Sequence, residues 1–299
     1  MWENISGVKK NEYGFFQLDP IPQLEELEKH YRERYYQETK SDTYEQEYDA
    51  EELEYIRANL EEKEYLLNTL CVQEGDKSFF DIGCGEGWAL AYFHERGWSV
   101  EGCDFSCYGI QKHNKSVEKF FVQGDVESVC DARIAAGKVY TVVHMENVLE
   151  HVIDPKLILQ KCEQLLAQGG ILYINVPNDF NPLQGYLYEG GLIKRTKWIA
   201  EMEHISYFNK DGLVNLAQEC GLETKLVLGT DIIEFFGLNP DTNYYDHPEV
   251  GHNCHVARRH WTKLLREFSL NEKIALYKAL GGMGLGRNLI AVFGKRQMG

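Results

Sequence analysis

The stretch FFDIGCGEGWAL, residues 79–90, decides the fold of this chain. Its apolar beginning is typical of a buried strand, the glycines at positions 83, 85 and 87 predict a tight turn, and the run from Trp88 predicts a helix. Glycine adopts positive φ at little cost and leaves the backbone bare, so a ligand can lie against it. Parallel sheets bind ligands beyond the carboxyl ends of their strands. The stretch therefore predicts a ligand site at a strand-to-helix turn.

Apolar segments of strand length alternate with helical patterns after this turn. Strands separated by helices of this size indicate a parallel sheet with right-handed crossovers. We therefore predict an α/β protein with a doubly wound, mostly parallel seven-stranded sheet and helices on both faces. The predicted strands are residues 78–82, 99–103, 119–122, 139–144, 171–176, 224–228 and 289–293. The helices predicted between them are residues 88–96, 106–115, 155–167 and 210–220.

Helical segments are also predicted before the first strand and before the last one. Residues 1–20 have the character of a loose arm, and apolar residues at helical spacing predict helices at 21–36 and about 50–70. Before the last strand, residues 230–287 form an insertion with a basic helix near 256–268. We therefore expect an N-terminal helical extension and a helical insertion.

The net charge of -16 is distributed unevenly. Residues 19–64 contain 16 acidic and 6 basic residues, whereas residues 255–299 contain 9 basic and 2 acidic ones. An acidic protein repels phosphates, so neither nucleic acid nor an anionic membrane is expected as a main partner. The basic segment either meets an anionic small substrate or pairs with the acidic N-terminal segment.

The eight cysteines are scattered and form no CxxC pair. This usage is typical of reduced, mostly buried thiols rather than of a disulfide framework. The first residues lack an apolar leader, and no apolar run reaches the ~18 residues of a membrane span. We therefore expect a cytoplasmic protein.

Two acids follow the second and third predicted strands. Asp104 lies 21 residues after Gly83, a distance at which a carboxylate can accept hydrogen bonds from ribose hydroxyls. Asp125 is placed to reach an adenine edge. The dinucleotide fingerprint GxGxxG is broken, because Trp88 replaces its last glycine and Glu86 would repel a pyrophosphate. A nicotinamide-dependent oxidoreductase is therefore the weaker alternative.

Taken together, these motifs resemble class I S-adenosylmethionine-dependent methyltransferases. DIGCGEG (81–87) looks like their first motif and GCDFS (102–106) like their second. Three further segments are similar to their fourth-strand region, their fifth strand and their closing strand, namely VVHMENVLEHVIDP (142–155), GGILYINVPN (169–178) and LIAVFGK (289–295). One departure is Thr141, where many members have an acid.

The resemblance implies S-adenosylmethionine as the cofactor. Gly83, Gly85 and Gly87 would line its methionine part, and Asp81 would position its amino group. Asp104 would hold the ribose hydroxyls. The remaining cofactor residues implied are Asp125 and Val126 at the adenine, Phe105 from the second motif, and Met145 and Glu146 after the fourth strand.

The resemblance also divides the chain into four segments. These are an N-terminal helical lid (1–70), a cofactor-binding core (71–230), a substrate-side insertion (231–287) and the final core strand (288–299). In this fold N-terminal helices commonly close over the cofactor. Tyr31 and Tyr35 are the candidates for that lid, Arg32 or Arg34 for binding an anionic acceptor, and Asn178 for a further acceptor contact.

Methyl transfer to a hydroxyl requires in-line positioning and removal of a proton, for which a histidine is well suited. His204 is the first candidate base, because related enzymes acting on sugars and quinone precursors have a similar His-x-x-x-Phe segment, here ending at Phe208. The alternative is that His204 caps the next helix or packs beneath the sheet. His151 is the second candidate, although the Glu150–His151 pair often belongs to the scaffold. His144 is expected to be a buried, hydrogen-bonded core residue.

The segment HPEVGHNCH (247–255) matches no standard zinc spacing, so no metal is expected. We predict S-adenosylmethionine-dependent O-methylation of a small polar acceptor: a sugar, a nucleotide-linked intermediate or a similar metabolite, as in bacterial surface-polysaccharide assembly. The alternative from another class is a regulatory protein that binds the cofactor without turnover. The sequence leaves a homodimer open.

Overall fold

The computed structural model describes residues 2, 5–23, 26, 47–71, 77–194, 196–199 and 203–296. The strands in these ranges are β1 (Val8–Lys10), β2 (Phe16–Leu18), β3 (Ser78–Ile82), β4 (Ser99–Asp104), β5 (Phe121–Gln123), β6 (Tyr140–Glu146), β7 (Leu166–Pro177), β8 (Ser206–Tyr207), β9 (Leu222–Thr230) and β10 (Asn288–Lys295). The α-helices are α1 (Ala50–Leu70), α2 (Trp88–Glu95), α3 (Tyr108–His113), α4 (Val126–Ala135), α5 (Pro155–Leu165), α6 (Pro182–Glu189), α7 (Lys210–Glu219), α8 (Gly251–Leu265) and α9 (Leu270–Gly282).

Seven strands form one sheet in the order β5-β4-β3-β6-β7-β10-β9. The pairs β3–β4, β3–β6, β4–β5 and β6–β7 are parallel, whereas β10 runs antiparallel between β7 and β9. The predicted seven-stranded, mostly parallel sheet is therefore confirmed. The strand order reverses between β3 and β6, so the crevice that binds ligands in such sheets lies beyond the carboxyl ends of these two strands.

Helices cover both faces of the sheet. Phe79 and Val142 enter one core, and their chain neighbours Phe80 and Val143 enter the other, because successive side chains of a strand point to opposite faces. Apolar residues of α1, α2, α3, α8 and α9 complete the first core, and those of α4, α5 and α7 complete the second. This doubly wound arrangement confirms the predicted fold class.

The N-terminal residues form a β-hairpin rather than the expected loose arm of a helical lid. β1 pairs antiparallel with β2, and β2 continues onto β8. Phe16 is buried and stacks on Phe180 with ring centroids 4.1 Å apart. Strands of three residues carry too little alternation to be recognised in a sequence. The helix predicted over residues 50–70 is confirmed.

Helix α8 of the insertion pairs with the acidic helix α1. Arg259 and Lys263 contact the Glu51 carboxylate at 2.5 and 2.9 Å, and Arg266 contacts Glu54 at 3.1 Å. The Arg259 and Lys263 side chains lower the pKa of Glu51 to about 2. Two roles were expected for the basic segment, and the one observed in the structure is pairing with the acidic N-terminal segment.

Helices α4, α6 and α9 were not predicted. Only Val129 and Cys130 of α4 are buried, so its sequence lacks a clear apolar stripe.

None of the eight cysteines is in a disulfide, and six of them are buried, as expected. Among the residues described, no helix combines the length and the apolar character needed to cross a membrane.

Candidate active site

The glycine turn after β3 forms a backbone cradle. Gly83, Gly85 and Gly87 have φ values of 72°, 52° and 76°, which glycine adopts most readily. A Cβ atom on Gly83 would lie 2.2 Å from the Val148 side chain, whereas one on Gly85 would meet no atom within 4 Å. The turn is therefore tightly packed at Gly83 and faces open space at Gly85, as a site for a ligand requires.

The Asp104 carboxylate lies against this turn at the end of β4. Its Oδ2 accepts a hydrogen bond from the Gly85 N–H at 2.9 Å, and its Oδ1 accepts one from the Ser106 N–H at 3.0 Å. Burial raises the pKa of Asp104, and the two backbone N–H groups oppose that shift. Because each carboxylate oxygen can accept a second hydrogen bond, Asp104 can also bind two adjacent ribose hydroxyls.

We expect Asp104→Ala to weaken S-adenosylmethionine binding, because hydrogen bonds to a charged acceptor contribute ~1.5–3 kcal/mol each. This corresponds to a rise in Kd of about 10- to 150-fold, measurable by isothermal titration calorimetry. Asp241→Ala, which removes an exposed acid, is the matched control. An unchanged Kd in Asp104→Ala would remove Asp104 from the site.

Glu86, inside the glycine turn, is held by aromatic side chains. Its Oε2 accepts hydrogen bonds from Trp88 Nε1 at 2.6 Å and from the Tyr48 hydroxyl at 2.7 Å, and its Oε1 lies 3.4 Å from His113 Nε2. A carboxylate fixed at this point repels phosphate groups. The geometry therefore agrees with the prediction that two phosphates are disfavoured here.

A cavity of about 500 Å³ begins at the glycine turn and extends between α1 and the insertion. Its lining includes Asp81, Gly83 and Glu146 of the predicted cofactor residues, together with Trp88. Four polar side chains on its wall form a continuous chain of contacts, which runs in order through Asp81, His144, Lys63 and Glu146. The structure thus brings Asp81 and Glu146 together in one cavity, and His144 is the buried, hydrogen-bonded residue that was expected.

The other predicted cofactor residues lie in different environments. The Met145 side chain has no exposed surface and packs in the core of the opposite face, so of the pair after the fourth strand only Glu146 lines the cavity. Asp125 caps α4 by accepting a hydrogen bond from the Ser128 N–H at 2.9 Å. Val126 is half-buried beside it, and Phe105 is 64% exposed.

His204 lies beside His151 and Glu150, near the carboxyl end of β6. The two imidazole rings are 4.9 Å apart, and one ligand atom from each of the three residues lies within 4.8 Å of the others. His204 Nδ1 and Glu150 Oε2 are both buried and have no hydrogen-bond partner among the described residues. Burial lowers the pKa of His204 and raises that of Glu150 to about 8. The cluster could act in proton transfer or hold a metal ion.

Backbone pairing fixes the segment that carries His204. The Ile205 N–H donates to the Glu150 carbonyl at 2.8 Å, and the Ile205 carbonyl accepts from the Leu18 N–H at 3.0 Å. His204 is thereby held next to the end of β6 on one side and to the N-terminal hairpin on the other. Phe208, the aromatic partner expected from the His-x-x-x-Phe pattern, is buried and packs on Phe15 at 4.6 Å.

Asn178 is a buried scaffold residue. Its Nδ2 donates to the carbonyls of Gly284 and Gly286 at 2.9 and 2.8 Å, and it has no exposed surface. In this structure its side chain is thus engaged with the loop before β10. Thr141, which departs from the family pattern, accepts a hydrogen bond from the Ser78 N–H at 3.0 Å and joins β6 to β3. Tyr31, Tyr35, Arg32 and Arg34 lie outside the described residues.

The residues around the cradle fit S-adenosylmethionine. Gly85 leaves room for a ligand on its open side, Asp104 has free acceptor capacity for a ribose, and the cavity beyond the turn carries both acidic and basic groups. Gly83, Gly85 and Asp81 would hold the methionine part, and Asp104 the ribose. The fold and the site together define a protein that binds a nucleoside with a charged amino-acid end.

Comparison with known proteins places the chain in a family. A family model described as a methyltransferase domain matches residues 47–227. A ubiquinone biosynthesis O-methyltransferase of Nitrosomonas europaea is 27% identical over 176 residues, covering 56% of this chain and 74% of the relative. The enzyme of the same name from Dinoroseobacter shibae is 30% identical over 146 residues, covering 48% and 58%.

A solved structure of a SAM-dependent methyltransferase from Archaeoglobus fulgidus is 16% identical and has a TM-score of 0.47, covering 80% of this chain and 94% of that one. The family match spans more than half of the chain. The chain therefore belongs to the class I S-adenosylmethionine-dependent methyltransferases. It is an enzyme, its cofactor is S-adenosylmethionine, and it requires a methyl acceptor.

Sequence reasoning missed Lys63, which lines the cavity, and Arg287, which pairs with buried acids outside it. Lys63 is one turn beyond the apolar residue Leu60 on α1, and its buried position follows only from the packing of α1 over His144. Arg287, immediately before β10, contacts the buried carboxylate of Asp179 at 2.5 Å. Its only signal in the sequence is a lone cation ahead of an apolar strand.

Proposed function

We propose that this enzyme methylates a hydroxyl oxygen of a small polar metabolite, with His204 as the general base. The observation that carries the proposal is the buried Nδ1 of His204, which has no hydrogen-bond partner among the described residues. A buried polar atom left unpaired costs free energy, and such atoms are retained where function requires them. The position of His204 near the carboxyl end of β6 suits this role.

His204 is suited to accept a proton at neutral pH. Burial lowers its pKa below the ordinary value, so the ring is neutral and has a free lone pair. Burial also raises the pKa of Glu150 to about 8, so that this carboxyl keeps its proton at pH 7 and can donate a hydrogen bond to an acceptor oxygen. A base and a neutral acid side by side are suited to orient a hydroxyl and to remove its proton.

S-adenosylmethionine supplies, when bound, a methyl carbon on a positively charged sulfur that leaves with the electron pair of the broken bond. The protein's part is to hold the acceptor oxygen in line and to take its proton, and positioning of this kind can contribute about 7–11 kcal/mol. Asp104 and the glycine turn would fix the cofactor. His204 and Glu150 would fix the acceptor.

The acceptor class that we propose is a sugar, a nucleotide-linked intermediate or a similar hydroxylated metabolite of the cytoplasm, as used in surface-polysaccharide assembly. Oxygen as the methylated atom is supported by the named relatives, which are O-methyltransferases. Phenolic quinone precursors, which the relatives' name suggests, are the second acceptor class to test.

The proposal is tested by incubating the enzyme with methyl-labelled cofactor and fractionated metabolite pools, followed by mass spectrometry. We expect a labelled product that has gained one CH₂ on an oxygen, and equal activity with and without EDTA. A product methylated on nitrogen or carbon, or cofactor binding without transfer to any fraction, contradicts the proposal. Loss of activity in EDTA and its recovery with a divalent cation would assign Glu150, His151 and His204 to a metal ion instead.

A further inference from the structure

The wall of the cofactor cavity contains a chain of charged groups that none of the assignments above explains. Lys63 Nζ lies 2.8 Å from His144 Nε2 and 2.7 Å from Glu146 Oε2, and His144 Nδ1 lies 2.6 Å from Asp81 Oδ1. An ammonium group only donates, so Nε2 of His144 accepts and its Nδ1–H donates to Asp81. This fixes both the tautomer of His144 and the orientation of the Asp81 carboxylate.

These groups are almost fully withdrawn from solvent. The side chains of Lys63, His144 and Asp81 are 7%, 3% and 4% exposed, whereas that of Glu146 is 36% exposed and reaches the open cavity. Asn175 donates a further hydrogen bond to Glu146 Oε1 at 2.6 Å. Burying ionised groups is expensive even when they are paired, and well-packed apolar residues often stabilise a fold as well or better. These linked charged groups are therefore better explained by a role in ligand binding than by a contribution to the stability of the fold.

The charge balance of the cavity indicates what it binds. Its lining contains four acids, which are Glu62, Asp81, Glu146 and Asp231, and three cationic side chains, which are Lys63, Arg258 and Lys273, besides the neutral His144. Lys273 pairs with Glu62 at 2.5 Å and Arg258 with Asp231 at 3.3 Å. Lys63 remains to balance both Asp81 and Glu146, which leaves one negative charge. A ligand that carries an ammonium, a sulfonium and a carboxylate has the complementary net charge of one positive unit.

We propose that Lys63 and His144 are positioning residues of the cofactor site, which orient the Asp81 carboxylate toward the ammonium group of S-adenosylmethionine. Glu146 provides a second carboxylate beside it. Burial would favour the protonated carboxyl of Glu146, but the Lys63 ammonium and the hydrogen bond from Asn175 lower its pKa to about 2, so it stays ionised. Because Lys63 belongs to α1, the helix before the core is part of the cofactor site.

The test compares two ligands that differ at the end that this chain of groups would recognise and in the positive charge on sulfur. S-adenosylmethionine carries the amino-acid end, and 5′-methylthioadenosine carries the same nucleoside without it. In Lys63→Met we expect the Kd of S-adenosylmethionine to rise on the order of 10- to 100-fold, and the Kd of 5′-methylthioadenosine to stay within about twofold. Calorimetry on the full chain measures both constants, and no methyl acceptor is needed.

Arg57→Met, which removes an exposed cation from the same helix, is the matched control and should change neither Kd. If Lys63→Met does not fold, Lys63→Gln replaces it, since the amide still donates to His144 while the charge is lost. Equal weakening of both ligands would show that Lys63 only supports the fold. Unchanged binding of both would remove Lys63 and His144 from the site.

Discussion

Enzyme carrying His204→Gln should lose about 100- to 10,000-fold of its kcat, which is the range contributed by a positioned general base. The amide occupies a similar volume but cannot take a proton, whereas His204 Nδ1 is buried and unpaired among the described residues. The Kd of S-adenosylmethionine should stay within about twofold, because the cofactor contacts of the glycine turn and Asp104 are left intact. Steady-state kinetics and calorimetry on the same preparations measure both quantities.

The pH profile provides an independent check on this assignment. Burial lowers the pKa of His204 from its ordinary value of 6.5, so the neutral base persists to lower pH. In the wild type, the acid limb of kcat/KM should therefore lie below pH 6.5, and this limb should be missing in His204→Gln. His260→Gln, on the exposed side of α8, is the control and should keep both the rate and the limb. Equal losses of kcat and cofactor affinity in His204→Gln would indicate a folding defect.

Arg287→Met is expected to lower the free energy of unfolding by about 3–5 kcal/mol, because it leaves buried carboxylates without their cation. Arg287 lies 2.5 Å from Asp179 and 3.7 Å from Glu234, both of which are 1% exposed. Urea unfolding at pH 7 measures the loss. Arg57→Met, whose partner Glu61 is half exposed, should cost less than ~1 kcal/mol.

The loss of unfolding free energy in Arg287→Met should also depend on pH. Burial raises the pKa of Glu234 to about 7 even beside Arg287. A carboxyl with a raised pKa in the folded state favours folding at low pH, and that advantage is lost as the pH rises through the folded pKa. The loss of unfolding free energy in Arg287→Met should therefore be smaller at pH 5, where Glu234 carries a proton and needs no cation, than at pH 8. A loss below about 1 kcal/mol at pH 8 would mean that Asp179 and Glu234 do not depend on Arg287.

The part of the site that could be predicted is the part that local backbone chemistry dictates. Gly83, Gly85 and Gly87 were recognisable because positive φ leaves few alternatives to glycine, and Asp104 because the length of one strand–helix–strand unit fixes its distance from the turn. The choice between Met145 and Glu146 could not be made from the sequence. Adjacent strand residues face opposite ways, and only the register of β6 shows which one meets the cavity.

Contacts between distant segments lay beyond prediction. Lys63 and His144 are 81 positions apart, and nothing in either segment indicates the other. The antiparallel direction of β10 follows because α8 and α9 leave the chain at the end of the sheet where β9 finishes, so that Asn288 pairs with Thr230, and a five-residue apolar run does not reveal this. The N-terminal hairpin was missed for a related reason, since β2 is stabilised by β8, which lies nearly 190 positions later.

The pairing of β2 in the N-terminal hairpin with Ser206 and Tyr207 shows which part of the chain supports the segment that carries His204. The match to the methyltransferase-domain family begins at residue 47, so a shortened protein could be designed to start there. A shortened protein of that kind would retain every described residue of the cofactor cavity but lose the strand that accompanies Ile205 and its neighbour His204. If His204 is the base, as proposed, recognition of the methyl donor and alignment of the proton acceptor would depend on separate stretches of chain, and a shortened protein would bind the donor without transferring its methyl group.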